Sequence, residues 1–228
     1  DAMTKLVYAT STAADGNMSL KWGESKEVVK NRKKFLGKIG VSLEDCVTLS
    51  LMRSDGVKIV DGKNKGEMLE ADALITTGKN VGLFMVTADC FPVIVYDPVG
   101  GVLALVHLGW QGVDKGLVAK VVRKMKGLGA DELQVIIGPG IRKESYVFDV
   151  PLAQENDPKW QPFLEKLGNG RTAIDLVGFI KKQLVDCGVG EIEDCGIDTV
   201  KDLNYFSHYR AVRTGEPEGR FATVAMMK

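Results

Sequence analysis

The sequence predicts an α/β (α+β) fold in which mixed β-sheets are flanked by helices. Apolar runs rich in Val, Ile and Leu recur with the length of strands, and segments with apolar residues at helical spacing lie between them. No linker, repeat or low-complexity tract divides the 228 residues. We therefore predict a single domain over residues 1–228, and we expect Asp1 and Ala2, before Met3, to be a remnant of cloning.

The individual elements follow from the same patterns. The predicted helices cover residues 25–40, 113–125, 152–167 and 172–187. Thr172 and Asp175 have the spacing of a capping box at the start of the last helix, whereas Pro158 and Pro162 interrupt the third. The predicted strands cover residues 47–51, 57–60, 73–76, 82–87, 93–96, 102–108, 133–137, 191–195 and 221–226.

Composition excludes several classes of protein. The 30 basic and 30 acidic residues balance, so the long-range attraction that drives nucleic-acid binding has no source, and we expect no nucleic-acid partner. Apolar runs are too short to cross a bilayer and the N-terminus does not resemble a signal peptide, so no membrane association is expected. Four cysteines without CxxC spacing are typical of reduced thiols, which predicts a cytoplasmic protein.

Residues 91–110 read as a β-hairpin whose turn is Pro-Val-Gly-Gly at 98–101. If Asp97 pairs with Val102, Pro92 lies opposite His107, and Cys90 becomes a diagonal neighbour of His107 on the same face. Diagonal neighbours are about 7–8 Å apart, within joint reach of one metal ion or one proton. Alternatively, Cys90 is a small buried hydrophobe and His107 is satisfied by a backbone carbonyl, or a bulge at Pro92 shifts the register.

Two strings in this hairpin are specific. TADCFP at 87–92 and HLGWQG at 107–112 closely resemble the TADC-x-P and HxGWRG signatures of the YfiH/laccase-domain family. The resemblance continues in NMSL at 17–20, NR at 31–32, IGPGI at 137–141, FSHYR at 206–210 and GR at 219–220. It implies a single α/β domain with mixed sheets, a metal ion, usually zinc, held by His, Cys and His, and phosphorolysis or deamination of purine nucleosides. Copper-dependent phenol oxidation and peptidoglycan-precursor editing are also associated with the family.

Carried onto this chain, the resemblance makes Cys90 and His107 the metal ligands, with Asp89 orienting a neighbouring group. The first histidine ligand of the family is replaced by Arg53, which has no lone pair to offer a cation. The resemblance also implies substrate-binding residues: Asn17, Arg32, Gln111 and Arg210. Gln111 stands where the family signature has arginine, so we suggest that a cationic group has moved across the pocket to Arg53.

Three mechanisms stay open for this site. Catalytic zinc normally has three protein ligands, so with two we expect weak zinc binding or none. A metal-free enzyme is the first alternative, with Arg53 favouring the Cys90 thiolate and His107 as its proton partner, acting on an amide such as a peptidoglycan precursor. A non-catalytic ligand-binding relic is the second. Copper is not expected, because multicopper oxidation needs several histidine-rich centres and the chain has only His107 and His208.

The leading hypothesis is a purine nucleoside phosphorylase or adenosine deaminase, with a purine nucleoside and phosphate as small-molecule partners. Phosphate requires cationic groups, for which the candidates are Arg32, Arg53, Arg142 and Arg210. The Gly138-Pro139-Gly140 sequence is either an anion-binding nest or, as we prefer, a plain tight turn. Candidates for stacking on a purine are Phe91, Trp110 and Tyr146, each of which is equally explained as a core residue.

Overall fold

The structure, a computed structural model, describes residues 4–149 and 152–228. Asp1 and Ala2, the expected cloning remnant, lie outside the described residues. The α-helices of the described residues are α1 Ser25–Gly37, α2 Trp110–Asp114, α3 Leu117–Gly127, α4 Leu176–Asp186 and α5 His208–Thr214. The strands are β1 Leu6–Thr10, β2 Cys46–Ser50, β3 Val57–Ile59, β4 Met68–Glu70, β5 Ala73–Thr76, β6 Gly82–Thr87, β7 Phe91–Asp97, β8 Val102–Leu108, β9 Gln134–Ile137, β10 Val147–Asp149, β11 Leu164–Leu167, β12 Arg171–Ile174, β13 Glu191–Asp194 and β14 Phe221–Met227.

These strands form two large sheets and one small sheet. The first has five strands in the order β1-β14-β6-β2-β4, and the second has six in the order β13-β9-β7-β8-β5-β3. Both sheets are mixed. In the first, β2 runs parallel to β4 and β6, whereas β14 is antiparallel to β1 and β6. The second combines the antiparallel β7–β8 hairpin with the parallel outer pairs β13–β9 and β5–β3. The small sheet is antiparallel, in the order β10-β12-β11. The prediction of mixed sheets flanked by helices is confirmed.

The apolar core lies in three layers. Leu83 and Met85 of β6 share one buried cluster with Leu103 and Leu105 of β8, so the two large sheets pack against each other. Residues alternating with these along β7 and β8 join the buried faces of α3 and α4 on the opposite side of the six-stranded sheet. Helix α1 packs Phe35 onto the outer face of the five-stranded sheet. Among the described residues, no helix has both the length and the hydropathy needed to cross a membrane.

The β7–β8 hairpin has the predicted register. Asp97 is paired with Val102 and Pro92 with His107, so the register prediction is confirmed and Pro92 introduces no shift. The Asp97 carboxylate fixes the turn by accepting hydrogen bonds from the N–H groups of Val99 at 2.8 Å and Gly100 at 2.7 Å. The nine predicted strands are all present, with ends within two residues of those predicted. The short strands β1, β4, β10, β11 and β12 and helix α5 were not predicted.

Three helix predictions need correction. The helix predicted over residues 113–125 is wrong as one element: α2 and α3 are separated by Gly116, whose φ of 66° lies in the left-handed region that interrupts a helix. The helix predicted over residues 152–167 is wrong, because Pro158 and Pro162 lack the N–H groups a continuous helix needs. That segment forms two short 3₁₀ turns, Ala153–Asn156 and Gln161–Phe163, followed by β11.

The predicted capping box at the start of the last helix is also wrong. Thr172 lies in strand β12, and its hydroxyl donates a hydrogen bond to Glu155 at 2.8 Å. Asp175 is itself the N-cap of α4, since its carboxylate accepts a hydrogen bond from Gly178 N at 2.9 Å. The sequence spacing detected a real cap but assigned it to a residue three positions too early. The first predicted helix is confirmed as α1, which ends at Gly37, three residues before the expected end at Gly40.

Candidate active site

Cys90 and His107 lie at the same end of the β7–β8 hairpin and line one cavity of about 650 Å³. Cys90 is the residue before β7, and His107 is the penultimate residue of β8. A Cβ atom added to Gly109 would lie 2.9 Å from Cys90 Sγ and 3.9 Å from His107 Cε1. The two side chains therefore converge beside Gly109, which leaves space for both because it has no side chain. This cavity is the candidate active site.

Asp72, at the start of β5, holds His107 in place. The main-chain N–H of His107 donates to Asp72 O at 2.8 Å, and Nδ1 of the ring lies 3.2 Å from Asp72 Oδ1. Both side chains are buried. Burial alone would lower the pKa of His107, but Cys90 and Asp72 raise it to about 9. With Nδ1 bound to the carboxylate, Nε2 is the ring nitrogen left for a proton or a metal ion.

The same carboxylate organises the loop that contains Arg53. Asp72 Oδ1 accepts from Arg53 N at 2.9 Å, and Oδ2 accepts from Ser54 N at 2.7 Å and Ser54 Oγ at 2.8 Å. Burial would raise the pKa of Asp72, but the hydrogen bonds from His107 and Ser54 lower it to about 2. Arg53 has a φ of 54°, and it lines the cavity together with Cys90 and His107. Sequence reasoning missed Asp72, whose position depends on β5 pairing with β8.

Asp89, predicted to orient a neighbouring group, binds elements that form the opposite wall of the cavity. Its carboxylate accepts a hydrogen bond from Thr199 Oγ1 at 2.8 Å and another from Tyr209 N at 2.7 Å, at the N-terminal end of α5. Its carbonyl oxygen accepts from Ile141 N at 2.8 Å. Asp89 has a φ of 79°, in the left-handed region of backbone conformation. Both carboxylate oxygens are thus occupied by protein donors.

Arg32, a predicted substrate-binding residue, reaches the cavity from α1. It is 6% exposed, and its Nε and Nη2 donate to Met18 O at 2.9 and 2.6 Å. Burial lowers the pKa of Arg32, and in the described part of the chain no carboxylate pairs with it. Asn17 lies behind this wall: its side chain binds Ser19 N, Ser19 O and Arg220 N, which positions the loop between β1 and α1.

The other predicted binding residues divide into two groups. Gln111 lines the cavity, whereas Arg210 does not: its guanidinium binds Glu216, Thr199 O and Tyr205 O. Arg142 is likewise occupied, in an ion pair with Asp194. In the Gly-Pro-Gly segment, Gly138 N and Gly140 N donate to the carbonyls of Pro92 and Ile197, and proline has no N–H group, so the segment leaves no N–H group free for an anion.

An aromatic cluster forms the wall next to α5. Tyr146, Phe148 and Tyr209 meet edge to face with ring centroids 4.8 to 6.3 Å apart, and all three line the cavity. Burial raises the pKa of Tyr146, which keeps its hydroxyl protonated. Trp110 stands at the cavity rim, whereas Phe91 is fully buried in the core and unavailable to a ligand. His208 lies at the exposed edge, with Nδ1 2.5 Å from Glu218 Oε1.

The charge of the cavity lining is strongly positive. The lining cations are Lys21, Arg32, Arg53, Arg213 and Arg220. Asp89 is the one carboxylate in the lining as the described residues form it, and it is fully hydrogen-bonded. Such a cavity attracts anionic ligands.

Comparison with known protein families shows which family the chain belongs to. Residues 6–228 match the profile of the family described as "Multi-copper polyphenol oxidoreductase laccase". The chain belongs to this YfiH/laccase-domain family. The family membership expected from the TADCFP and HLGWQG strings is therefore confirmed.

Proteins named as purine nucleoside phosphorylases resemble the chain over most of its length. A purine nucleoside phosphorylase of Corynebacterium glutamicum is 30% identical over 200 residues, covering 86% of this chain and 81% of the relative. A purine nucleoside phosphorylase of Deinococcus radiodurans is 31% identical over 206 residues, covering 87% of this chain and 78% of the relative.

Solved structures of the family share the fold. The hypothetical protein YfiH of Bacillus licheniformis superimposes with a TM-score of 0.85 at 23% identity, covering 98% of this chain and 93% of that one. YlmD of Geobacillus stearothermophilus gives a TM-score of 0.84 at 23% identity, covering 99% and 91%. At this identity the likeness concerns the fold alone.

The metal ion that the family resemblance implies does not fit the donor atoms of this chain. Within residues 4–149 and 152–228, no three His, Cys, Asp or Glu side chains are arranged to hold a metal ion. Cys90 and His107 supply two donors, and the nearest carboxylates, Asp72 and Asp89, already accept hydrogen bonds on both oxygens. The residues present therefore support no catalytic step through a metal ion.

Proposed function

We propose that the chain catalyses phosphorolysis of purine nucleosides in the cavity that contains Cys90 and His107. In this reaction a phosphate oxygen bonds to C1′ of the ribose, the bond from C1′ to the purine nitrogen breaks, and ribose 1-phosphate and a protonated purine are released. The names of the relatives support this reaction. The single structural observation that carries it is the buried guanidinium of Arg32 in the same cavity as a carboxylate-held histidine.

Phosphate would bind at the Arg32 wall. A guanidinium that is buried without a carboxylate partner has lost hydration that two bonds to Met18 O replace only in part. An anion in the cavity would offset that loss and form charge-assisted hydrogen bonds. Thr48 and Ser50 line the same part of the cavity, and their hydroxyl groups are suitable donors to phosphate oxygens. The general positive charge of the lining would attract phosphate before it binds.

The purine would bind at the aromatic wall. Tyr146, Phe148 and Tyr209 present ring surfaces to the cavity, and a purine has an extended π-face that stacks on such rings. Asp89 holds Tyr209 N and therefore positions this wall relative to Cys90. A nucleoside lying between the two walls would place its glycosidic bond beside Cys90 and His107, which converge at Gly109.

His107 would then transfer a proton to the departing purine. Asp72 fixes the ring through Nδ1, so Nε2 is the nitrogen available for that transfer, and the orientation does not depend on substrate. Cys90 would contact the ribose or the base beside His107. No covalent enzyme intermediate is needed, because phosphate itself is the nucleophile.

The test is a product assay with inosine, with and without phosphate. We expect hypoxanthine and ribose 1-phosphate in equal amounts, dependent on phosphate, with loss of turnover in Cys90→Ala and His107→Ala. Arg32→Gln should raise KM for phosphate by about tenfold or more, equivalent to one lost charge-assisted contact of about 1.5–3 kcal/mol. Arg123→Gln, an exposed arginine on α3, is the matched control and should change nothing. Phosphate-independent release of ammonia from adenosine would instead indicate deamination, and absence of any turnover would contradict the proposal.

A second candidate is a cysteine hydrolase acting on an amide, which the Asp72–His107–Cys90 arrangement favours. In that reaction Cys90 Sγ would bond to the amide carbon, the C–N bond would break with a proton passing from His107 to the amine, and water would release the acid. A covalent acyl adduct on Cys90 detected by mass spectrometry, together with phosphate-independent turnover, would identify this function. Neither feature is expected of a phosphorylase.

A further inference from the structure

We propose that Arg53 takes the place of the third metal ligand, so that Cys90 and His107 work in a cavity lined by an arginine side chain and not beside a zinc ion. The inference concerns the composition of the site and does not depend on which reaction the site catalyses. It rests on the position of Arg53, on the state of the surrounding carboxylates and on the charge of the cavity.

The position of Arg53 is fixed by the group that fixes His107. Arg53 N and His107 Nδ1 are bound to the same oxygen atom, Asp72 Oδ1, at 2.9 and 3.2 Å. The main chain of Arg53 is therefore held by the carboxylate that binds the His107 ring, and its exposed side chain lines the cavity that both Cys90 and His107 line. A side chain with a lone pair at this position would complete a set of three donors. Arginine is protonated in proteins and offers none.

The neighbouring carboxylates are not free to replace the missing donor. Asp72 accepts four hydrogen bonds, from Arg53 N, Ser54 N, Ser54 Oγ and His107 Nδ1. Asp89 accepts hydrogen bonds from Thr199 Oγ1 and Tyr209 N, one on each oxygen. Turning either carboxylate toward a metal ion would leave buried donors without acceptors, which is unfavourable.

The electrostatic setting also disfavours a divalent cation. Five cationic side chains line the cavity, of which Arg220 is paired with Glu218. The single lining carboxylate within the described residues is already hydrogen-bonded, so the remaining cations would repel a metal ion. Catalytic zinc has three protein ligands as a rule, and two donors in a cationic cavity fall short of that. The guanidinium of Arg53 supplies positive charge to an anionic group beside Cys90 without a metal ion.

The test is zinc retention by the whole chain, measured without reference to activity. Wild type, Arg53→His and Arg213→His are stripped with a chelator under reducing conditions, incubated with excess zinc chloride, desalted and analysed by elemental mass spectrometry. Histidine tolerates the positive φ of residue 53 better than most residues, so Arg53→His is compatible with the loop. Arg213→His is the matched control, because Arg213 lines the same cavity but is stacked on Tyr209, away from Asp72.

We expect wild type and Arg213→His to retain less than about 0.1 zinc per chain and Arg53→His to retain about one, which a further Cys90→Ser change abolishes. Retention of about one zinc by wild type, lost in Cys90→Ser, would overturn the inference. Equal gains in both histidine variants, or no gain in a folded Arg53→His protein, would overturn the placement of Arg53. A chain with the expected zinc pattern but no nucleoside turnover would contradict the proposed function and leave this inference standing.

Discussion

Asp72 is bound to His107 twice, through a main-chain hydrogen bond of 2.8 Å and through a side-chain contact of 3.2 Å between Oδ1 and Nδ1. The strand pairing of β5 with β8 supplies the first contact and thereby enforces the second. A buried carboxylate in this position selects the ring orientation and the nitrogen that faces the ligand. The pairing of β5 with β8 therefore sets the orientation of the His107 ring.

Asp72→Asn tests this relationship. The amide preserves the size of the side chain but removes the charge, and its NH₂ group faces donors that need an acceptor. We expect kcat/KM for inosine phosphorolysis to fall about 10- to 100-fold. The melting temperature should also fall, because Arg53 N, Ser54 N or His107 loses an acceptor. Asp55→Asn, an exposed residue paired with Lys120, is the control and should leave both quantities nearly unchanged. Unchanged kinetics in Asp72→Asn would show that the carboxylate does not orient His107.

Gly109→Ala tests the convergence of Cys90 and His107. The new methyl group would lie 2.9 Å from Cys90 Sγ, closer than carbon and sulfur atoms can pack, so the thiol has to move. We expect activity to be largely lost while the circular dichroism spectrum stays that of wild type. Gly127→Ala, at the end of α3 with open space around it, should retain activity. Full activity in Gly109→Ala would mean that Cys90 has no fixed role beside His107.

Asp194→Asn tests the dependence of stability on pH. Burial raises the pKa of Asp194, but hydrogen bonds from Arg142 and Lys181 lower it well below its ordinary value of 3.8. Because the folded-state pKa is depressed, the stabilisation is present above pH 3.8 and is lost as the pH falls below it. We expect the variant to be about 1–3 kcal/mol less stable to urea at pH 7, with the difference shrinking toward pH 3. Asp186→Asn, from an exposed pair with Lys182, should differ from wild type by less than about 0.5 kcal/mol at either pH.

Gly116→Ala tests why the helix predicted after the hairpin is interrupted. No atom lies near the position of the added methyl group, so the cost comes from the left-handed backbone conformation alone. We expect a loss of about 1 kcal/mol in the free energy of unfolding. Gly116→Asn should lose less, because asparagine adopts this conformation more readily. An alanine variant as stable as wild type would show that α2 and α3 can join into one helix.

The predictable parts of the molecule are those whose partners are close in sequence. The β7–β8 register followed from a four-residue turn, and it placed Pro92 opposite His107 correctly. Asp72 escaped prediction because it lies 35 residues before His107, and the order β7-β8-β5 cannot be read from hydrophobic periodicity. The same limit applies to Tyr209, which reaches the cavity through a hydrogen bond to Asp89 across 120 residues. The family resemblance predicted that Arg53 replaces a histidine ligand. The hydrogen bond from Arg53 N to Asp72 could not be predicted without the fold.

The deciding experiment is a crystal structure of the protein with hypoxanthine and phosphate. We expect phosphate on Arg32, hypoxanthine against Tyr146 and Tyr209, and Cys90 and His107 beside the gap that a ribose would fill. Both ligands in the smaller cavity of about 260 Å³ between Pro92, Gly138 and Cys195, with the larger cavity empty, would contradict it.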